Sequence, residues 1–181
     1  FTEVIIGGEI EVGDEVEMLP PEKDRPFTAA IITVSDKGSA GERVDKSGPI
    51  IQDMLEKAGY DVKEMLIVPD EKNVIATQLI RLSDQRQINL ILTTGGTGFS
   101  HRDVTPEATI SVCERMARGI SEAIRANSMK YTNRAMLSRA ESGIRGGSLI
   151  VNLPGSPKAV CETLDFLLPN VKHGIEILAG R

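Results

Sequence analysis

Asn89-Leu90-Ile91-Leu92-Thr93-Thr94-Gly95-Gly96-Thr97-Gly98 sets a short, nearly all-apolar run directly against a loop with three glycines in four positions. An apolar run without polar alternation suits a strand buried on both faces. Three glycines exceed what a turn requires. They let the backbone approach a ligand closely and aim N–H groups at an anion. The chain then runs through Arg102-Asp103-Val104-Thr105-Pro106-Glu107 into a helical pattern over residues 106–116, with Pro106 at its start. The unit therefore reads strand, glycine loop, helix. Its glycine spacing is neither that of a P-loop, which needs Gly-Lys-Ser/Thr, nor the dinucleotide fingerprint.

The same alternation extends to both sides. Residues 28–34, 60–68 and 148–153 read as further strands. Residues 49–58 read as a helix entered through Ser47-Gly48 and left through Gly59, and residues 71–83 carry Ile75, Leu79 and Leu82 on one face. A helix is expected at 120–130 and a short helical turn at 134–140. Residues 157–167 form another helical pattern, which Pro169 is expected to break before a last helix bearing Val171, Ile175 and Leu178. Strands alternating with helices imply an α/β fold in three layers, a mostly parallel sheet with helices on both faces. Residues 28–34, 89–93 and 148–153 should be its neighbouring central strands. Ligands in such sheets bind beyond the carboxyl ends of the strands.

This α/β domain is expected over residues 27–181. Before it, Val4-Ile5-Ile6, Gly7-Gly8, Ile10, Val12, Gly13-Asp14, Val16 and Met18 read as strand, turn, strand over residues 1–19. Two strands are marginal alone, so they are expected to be the remnant of a β-domain lying mostly upstream. Pro20-Pro21-Glu22-Lys23-Asp24-Arg25-Pro26 reads as a stiff polar linker. Because the chain opens on Phe1 rather than Met, it is expected to be a fragment of a longer polypeptide or a processed product.

Composition narrows the function. Of 181 residues, 40 % are hydrophobic and 26 % charged, the balance of a soluble globular protein. Aromatics are 3 % and Trp is absent, which leaves few platforms for stacking nucleic-acid bases. The net charge of −5 provides no general field for polyanions, so a phosphate site must be built locally. Cys113 and Cys161 lie in helical patterns far apart and read as reduced thiols of a cytoplasmic protein. No stretch has the length or composition of a membrane span or signal peptide.

Four loops follow strand ends: Ser35 to Gly48, Pro69-Asp70-Glu71, Thr94 to Glu107, and Asn152-Leu153-Pro154-Gly155-Ser156-Pro157. Three lead into helices, whose N-termini add unpaired N–H groups and partial positive charge. The hydroxyls of Thr93, Thr94, Thr97, Ser47 and Ser156 suit phosphate oxygens, although Ser156 alone reads as a helix cap. Asp36, Asp70 and Asp103 each come just after a strand or its loop, so a parallel sheet brings all three to one edge. Carboxylates beside bound phosphates make sense with Mg2+ between them. The other reading makes Asp70 a helix N-cap and Asp103 an acceptor for its own loop. Lys37, Arg43, Lys46, Arg102 and Lys158 stand in the same loops, as anion partners or as solvated charges.

Val34-Ser35-Asp36, Asp45-Lys46-Ser47-Gly48, Pro69-Asp70, Thr93 to Gly98, Arg102 to Glu107 and Asn152 to Pro157 together resemble the MogA/MoaB molybdopterin-binding domain family, in order and spacing, from Thr28 to about Leu178. The resemblance implies adenylylation of molybdopterin with Mg-ATP and release of pyrophosphate, preparing the pterin for molybdate insertion. It implies that Asp70 and Asp103 are the two functionally important aspartates, catalytic and holding Mg2+. It places substrate or nucleotide binding at Ser35, Asp36, Asp45, Ser47 and Gly48, at Thr94, Gly95, Gly96, Thr97 and Gly98, and at Asn152, Pro154, Gly155, Ser156 and Pro157. It further implies a homotrimer, or a hexamer in the MoaB branch, with a molybdate-insertion protein as partner. Residues 7–16 resemble the last strands of a MOSC domain, some of which are fused ahead of such a domain. The attacking group would be the pterin's terminal phosphate, largely dianionic at neutral pH since its second pKa is about 6, so no strong general base is required. Two other readings fit the same fold: a pterin carrier domain without catalysis, and a nucleotide pyrophosphatase of the competence-damage type.

Overall fold

The structure, a computed structural model, describes residues 25–181. The expected upstream strands at 1–19, and all but the last two residues of the expected linker at 20–26, lie outside the described residues. Among those described, no helix is long and apolar enough to cross a membrane.

Four apolar segments form the parallel part of one six-stranded sheet: β1 (Thr28–Val34), β2 (Asp61–Val68), β3 (Leu90–Thr94) and β6 (Ser148–Leu153). Two short strands, β4 (Arg115–Met116) and β5 (Ser142–Arg145), complete the strand order β2-β1-β3-β6-β5-β4, so β1, β3 and β6 are neighbours as expected. The period of two along each strand divides the core. Ala29, Ile31, Leu90, Leu92, Leu149 and Val151 face α2 (Ser47–Lys57), α5 (Arg118–Ser128) and α6 (Pro157–Leu178). Ala30, Ile32, Ile91 and Ile150 face α3 (Lys72–Ile80) and α4 (Thr105–Val112). Both faces are covered, which is why these strands carry no polar alternation. A further four-residue helical turn, α1 (Asp36–Ser39), follows β1.

Two local expectations are overturned, and one strand is added. The helix expected over 106–116 stops at Val112. Cys113 is extended, and Arg115–Met116 form β4, an antiparallel partner of β5 (Ser142–Arg145), so Cys113 is not helical. β5 itself had no counterpart in the sequence reading, although Gly146-Gly147 joins it to β6 as a two-residue hairpin with Arg145 opposite Ser148. Pro169 does not break α6. It lies on the exposed face, while Leu164, Leu168, Val171 and Ile175 continue one buried stripe past it. An interior proline costs about 3 kcal/mol. Burying Val171 and Ile175 returns about 1.5–3 kcal/mol each, enough to offset it.

Candidate functional site

Register brings the strand ends together. Thr33 pairs with Thr94, and Thr94 with Leu153, so the loops after β1, β3 and β6 leave the sheet side by side. Beyond them lies a cavity of about 640 Å³, lined by Ser35, Asp45 and Ser47 from the first loop, by Thr94 and Gly95, and by Gly155, Ser156 and Pro157. A second cavity of about 280 Å³ is lined by Thr97, Gly98, Thr132, Ser138 and Pro154. Gly155 borders both, and the glycine loop touches one through Thr94–Gly95 and the other through Thr97–Gly98.

The glycines of this loop are required by its path. Gly95 has φ 97° and Gly96 φ 64°. A Cβ would collide with the Val34 carbonyl oxygen at the first and with Thr105 Oγ1 at the second. The loop's carbonyls are all occupied. Thr105 Oγ1 donates to Gly95 O at 2.9 Å and its N–H to Gly96 O at 3.1 Å. The Arg139 N–H donates to Thr97 O at 3.0 Å and its Nε to Gly98 O at 2.7 Å. In contrast, the N–H groups of Gly96, Thr97, Gly98 and Phe99 donate to no acceptor among the described residues. Consecutive unpaired N–H groups on a backbone containing left-handed residues form an anion-binding nest.

The loop after β1 is tied in the opposite sense. Asp45 Oδ1 accepts from the N–H groups of Ser47 (2.9 Å) and Gly48 (3.0 Å), and Oδ2 accepts from Thr33 Oγ1 at 2.6 Å. Asp45 therefore caps α2 and anchors it to β1. Ser47 Oγ donates to Gly155 O at 3.0 Å, and Thr94 Oγ1 to Pro154 O at 2.7 Å, fastening the turn after β6 to both neighbouring loops. Ser35 accepts from Gly38 N and Ser156 from Ala159 N, each capping its helix.

Asp36, Asp70 and Asp103 do reach the same edge, beside the glycine loop rather than in either cavity wall. Asp36 N–H donates to Asp70 Oδ2 at 2.8 Å, and Asp70 N–H returns a bond to Asp36 Oδ1 at 3.0 Å, locking the loops after β1 and β2 together. Arg102 grips Asp36 through Nε and Nη2 at 3.1 and 2.9 Å and reaches Glu71 at 2.8 Å. Arg102, and next the Asp70 N–H, hold the Asp36 carboxyl below the usual carboxylate range. Burial pushes Asp70 the other way. The Asp36 N–H opposes that rise, while the charges of Asp36 and Asp103 add to it. Asp70 is not the N-cap of α3, a place taken by Glu71. Asp103 Oδ2 does accept from its own loop, from Ser100 N at 2.8 Å. Desolvated carboxylates crowded by like charge gain from a cation. Among the described residues no three His, Cys, Asp or Glu side chains cluster to hold a metal by themselves, so a metal here would take ligands from phosphate as well. Arg43 and Lys46 line the larger cavity and pair with no carboxylate among the described residues.

Two residues expected to meet ligand lie off both cavity walls, with their polar groups already paired. Asn152 is fully buried, its amide spent on Thr93 Oγ1 (2.9 Å), Thr109 Oγ1 (2.8 Å) and the N–H of Glu141 (3.1 Å). It ties β6 to β3, α4 and the start of β5, and Thr93 is buried with it. Gly48 lines neither cavity, its N–H being used by Asp45. Arg139 went unnoticed in the sequence, since an isolated Arg between a short helical turn and a strand carries no motif.

A family model described as "Probable molybdopterin binding domain" matches residues 30–173. The molybdopterin adenylyltransferase of Helicobacter pylori is 41 % identical over 152 residues, covering 83 % of this chain and 86 % of its own length. That of Haemophilus influenzae is 45 % identical over 137 residues, covering 75 % and 70 %. The crystal structure of the molybdopterin biosynthesis enzyme MoaB from Thermus thermophilus superposes with a TM-score of 0.81 at 41 % identity, over 86 % of this chain and 98 % of that one.

Proposed function

The chain belongs to the molybdopterin binding domain family, and from that premise we propose that it is a molybdopterin adenylyltransferase of molybdenum-cofactor biosynthesis. The carrying observation is two cavities that meet at Gly155 and are both bordered by a glycine loop with free N–H groups. A transfer between two anionic substrates needs such a shared, positively polarised wall.

In the reaction an oxygen of the pterin's terminal phosphate forms a bond to the α-phosphorus of ATP. The bond from that phosphorus to the bridging oxygen breaks, and pyrophosphate leaves with the electron pair. The phosphate nucleophile is already anionic, so the protein's contribution is positioning and charge neutralisation. Free N–H groups at Gly96 to Phe99 receive phosphate oxygens without reorganising. Arg43 and Lys46 balance charge in the larger cavity. Asp45, Ser47 and Thr94 keep the cavity walls at fixed separation through the bonds to Thr33, Gly155 and Pro154. Asp70 and Asp103 offer hard carboxylate oxygens suited to Mg2+. Bound there with ATP, that ion would offset charge on the triphosphate. Asp36 and Arg102 hold Asp70 in place for this task.

The reading includes a cytoplasmic setting, a homotrimer or, in the MoaB branch, a hexamer, hand-over to a molybdate-insertion protein, and an upstream MOSC-type domain ending near residue 19. Incubation of the purified protein with molybdopterin, ATP and Mg2+ should yield adenylylated molybdopterin and pyrophosphate in equal amounts. Tight molybdopterin binding without product would instead support the carrier reading. Hydrolysis of ADP-ribose would support the pyrophosphatase reading.

A further inference from the structure

We infer that Arg139 is a positioning residue that sets the direction of the N–H groups in the glycine loop, and so governs how the loop receives phosphate. The inference rests on the adenylyltransferase reading for its kinetic consequence but not for its geometry. In a trans peptide the carbonyl and the following N–H point in opposite directions, and none of the described peptide bonds is cis. Whatever grips a carbonyl therefore turns the next N–H away from itself. Thr105 grips the carbonyls of Gly95 and Gly96, which aims the N–H groups of Gly96 and Thr97. Arg139 grips those of Thr97 and Gly98, which aims the N–H groups of Gly98 and Phe99.

The remaining Arg139 contacts extend this control. Nη2 donates to the Asp103 carbonyl and Nη1 to Glu107 Oε1. One guanidinium thus spans both ends of the loop, fixing the glycine segment relative to Asp103 and to the first turn of α4. Three acceptors in three directions need a planar fork, which an ammonium does not supply. Gly95 and Gly96 already sit at positive φ, so the loop has few steric restraints of its own. Without the Arg139 side chain the 98–99 peptide is free to rotate, while the Thr97 carbonyl stays on the main-chain N–H of residue 139.

The test uses Arg139→Lys and Arg139→Ala in the full chain. Far-UV dichroism should show the parent's secondary structure. Hydrogen exchange at the N–H groups of Thr105 and residue 139, which donate to the loop carbonyls of Gly96 and Thr97, should accelerate in both variants as the loop loosens, while exchange in β1 and β3 stays as in the parent. Affinity for inorganic pyrophosphate, used as the probe anion, should fall in both. Adenylylation kcat should fall about a hundredfold, as when one preorganised oxyanion donor is lost, with KM for molybdopterin little changed. Added guanidinium should restore part of the kcat of Arg139→Ala and leave the parent unaffected. Unchanged loop exchange and pyrophosphate affinity in both variants would overturn the inference, as would turnover close to the parent's. If the parent itself forms no adenylylated product, the reading of its activity fails alone, and exchange and pyrophosphate affinity still decide the role of Arg139.

Discussion

The loops after β1 and β3 leave neighbouring strands of one sheet but treat their backbone in opposite ways. After β1 the N–H groups are consumed: Gly38 by Ser35, Ser47 and Gly48 by Asp45. After β3 it is the carbonyls that are consumed, by Thr105 and Arg139, and the N–H groups of Gly96 to Phe99 stay free. The first loop is a wall whose helix entrances are capped by its own side chains; the second keeps a run of N–H groups open. A glycine loop can turn its N–H groups toward an anion when something grips its carbonyls from outside, and in this protein the gripping residues come from later in the chain.

The largest test of that contrast lies beside the second loop. Asp70→Asn and Asp103→Asn keep the shape of loop side chains and an oxygen able to accept the same N–H bonds. Turnover should fall a hundredfold to a thousandfold, corresponding to about 2.7–4 kcal/mol of lost electrostatic stabilisation. Melting temperature and molybdopterin affinity should stay near the parent's. Steady-state kinetics with thermal melts on the same samples check this, and normal turnover in both variants would move the chemistry to the glycine loop alone.

A wall residue should behave in reverse. Asp45→Ala removes the cap of α2 and strands Thr33 Oγ1 and two N–H groups. Loss of an N-cap costs about 0.5–2 kcal/mol, so unfolding in urea should shift by that order, while kcat changes less than in the Asp70 variant. A stability equal to the parent's, with turnover abolished, would make Asp45 part of the reacting site and erase the distinction.

The smallest expected effect is a pH dependence. Asp70 has its pKa raised by burial above the unfolded value. A raised folded-state pKa contributes stability that is complete below the unfolded pKa and lost as pH rises through the folded one. At neutral pH the ionised Asp70 is therefore a liability to the fold, and Asp70→Asn should melt no lower than the parent at pH 7. Its relative advantage should shrink as pH falls into the carboxylate range. An Asp70→Asn protein less stable at pH 7 than at pH 4, relative to the parent, would show that the carboxylate contributes to folding through its charge.

The four parallel strands with the helices between them, the two-faced burial of the central sheet and the edge where Asp36, Asp70 and Asp103 meet were all legible in the sequence. Each depends on local pattern: uninterrupted apolar runs for strands buried on both faces, and loop residues placed directly after them. The strongest family motifs, Thr93 to Gly98 and Arg102 to Glu107, were legible for the same reason, being contiguous. What escaped was decided at long range. Pro169 stays helical because Val171 and Ile175 have a core to enter. Cys113 leaves the helix as Arg115–Met116 pair with Ile144 and Gly143 of a distant strand. Asn152, inside a motif that suggested ligand contact, turns into the core where Thr93 and Thr109 wait for its amide. Arg139 acquires its role only when the fold brings it to Gly98, 41 residues earlier. The sequence determined which segments form the parallel strands, the main helices and the glycine loop, because backbone preference and burial are written in neighbouring residues. Only the tertiary structure decided which polar groups are spent and which remain free, because a hydrogen bond's partner is fixed by distance in space.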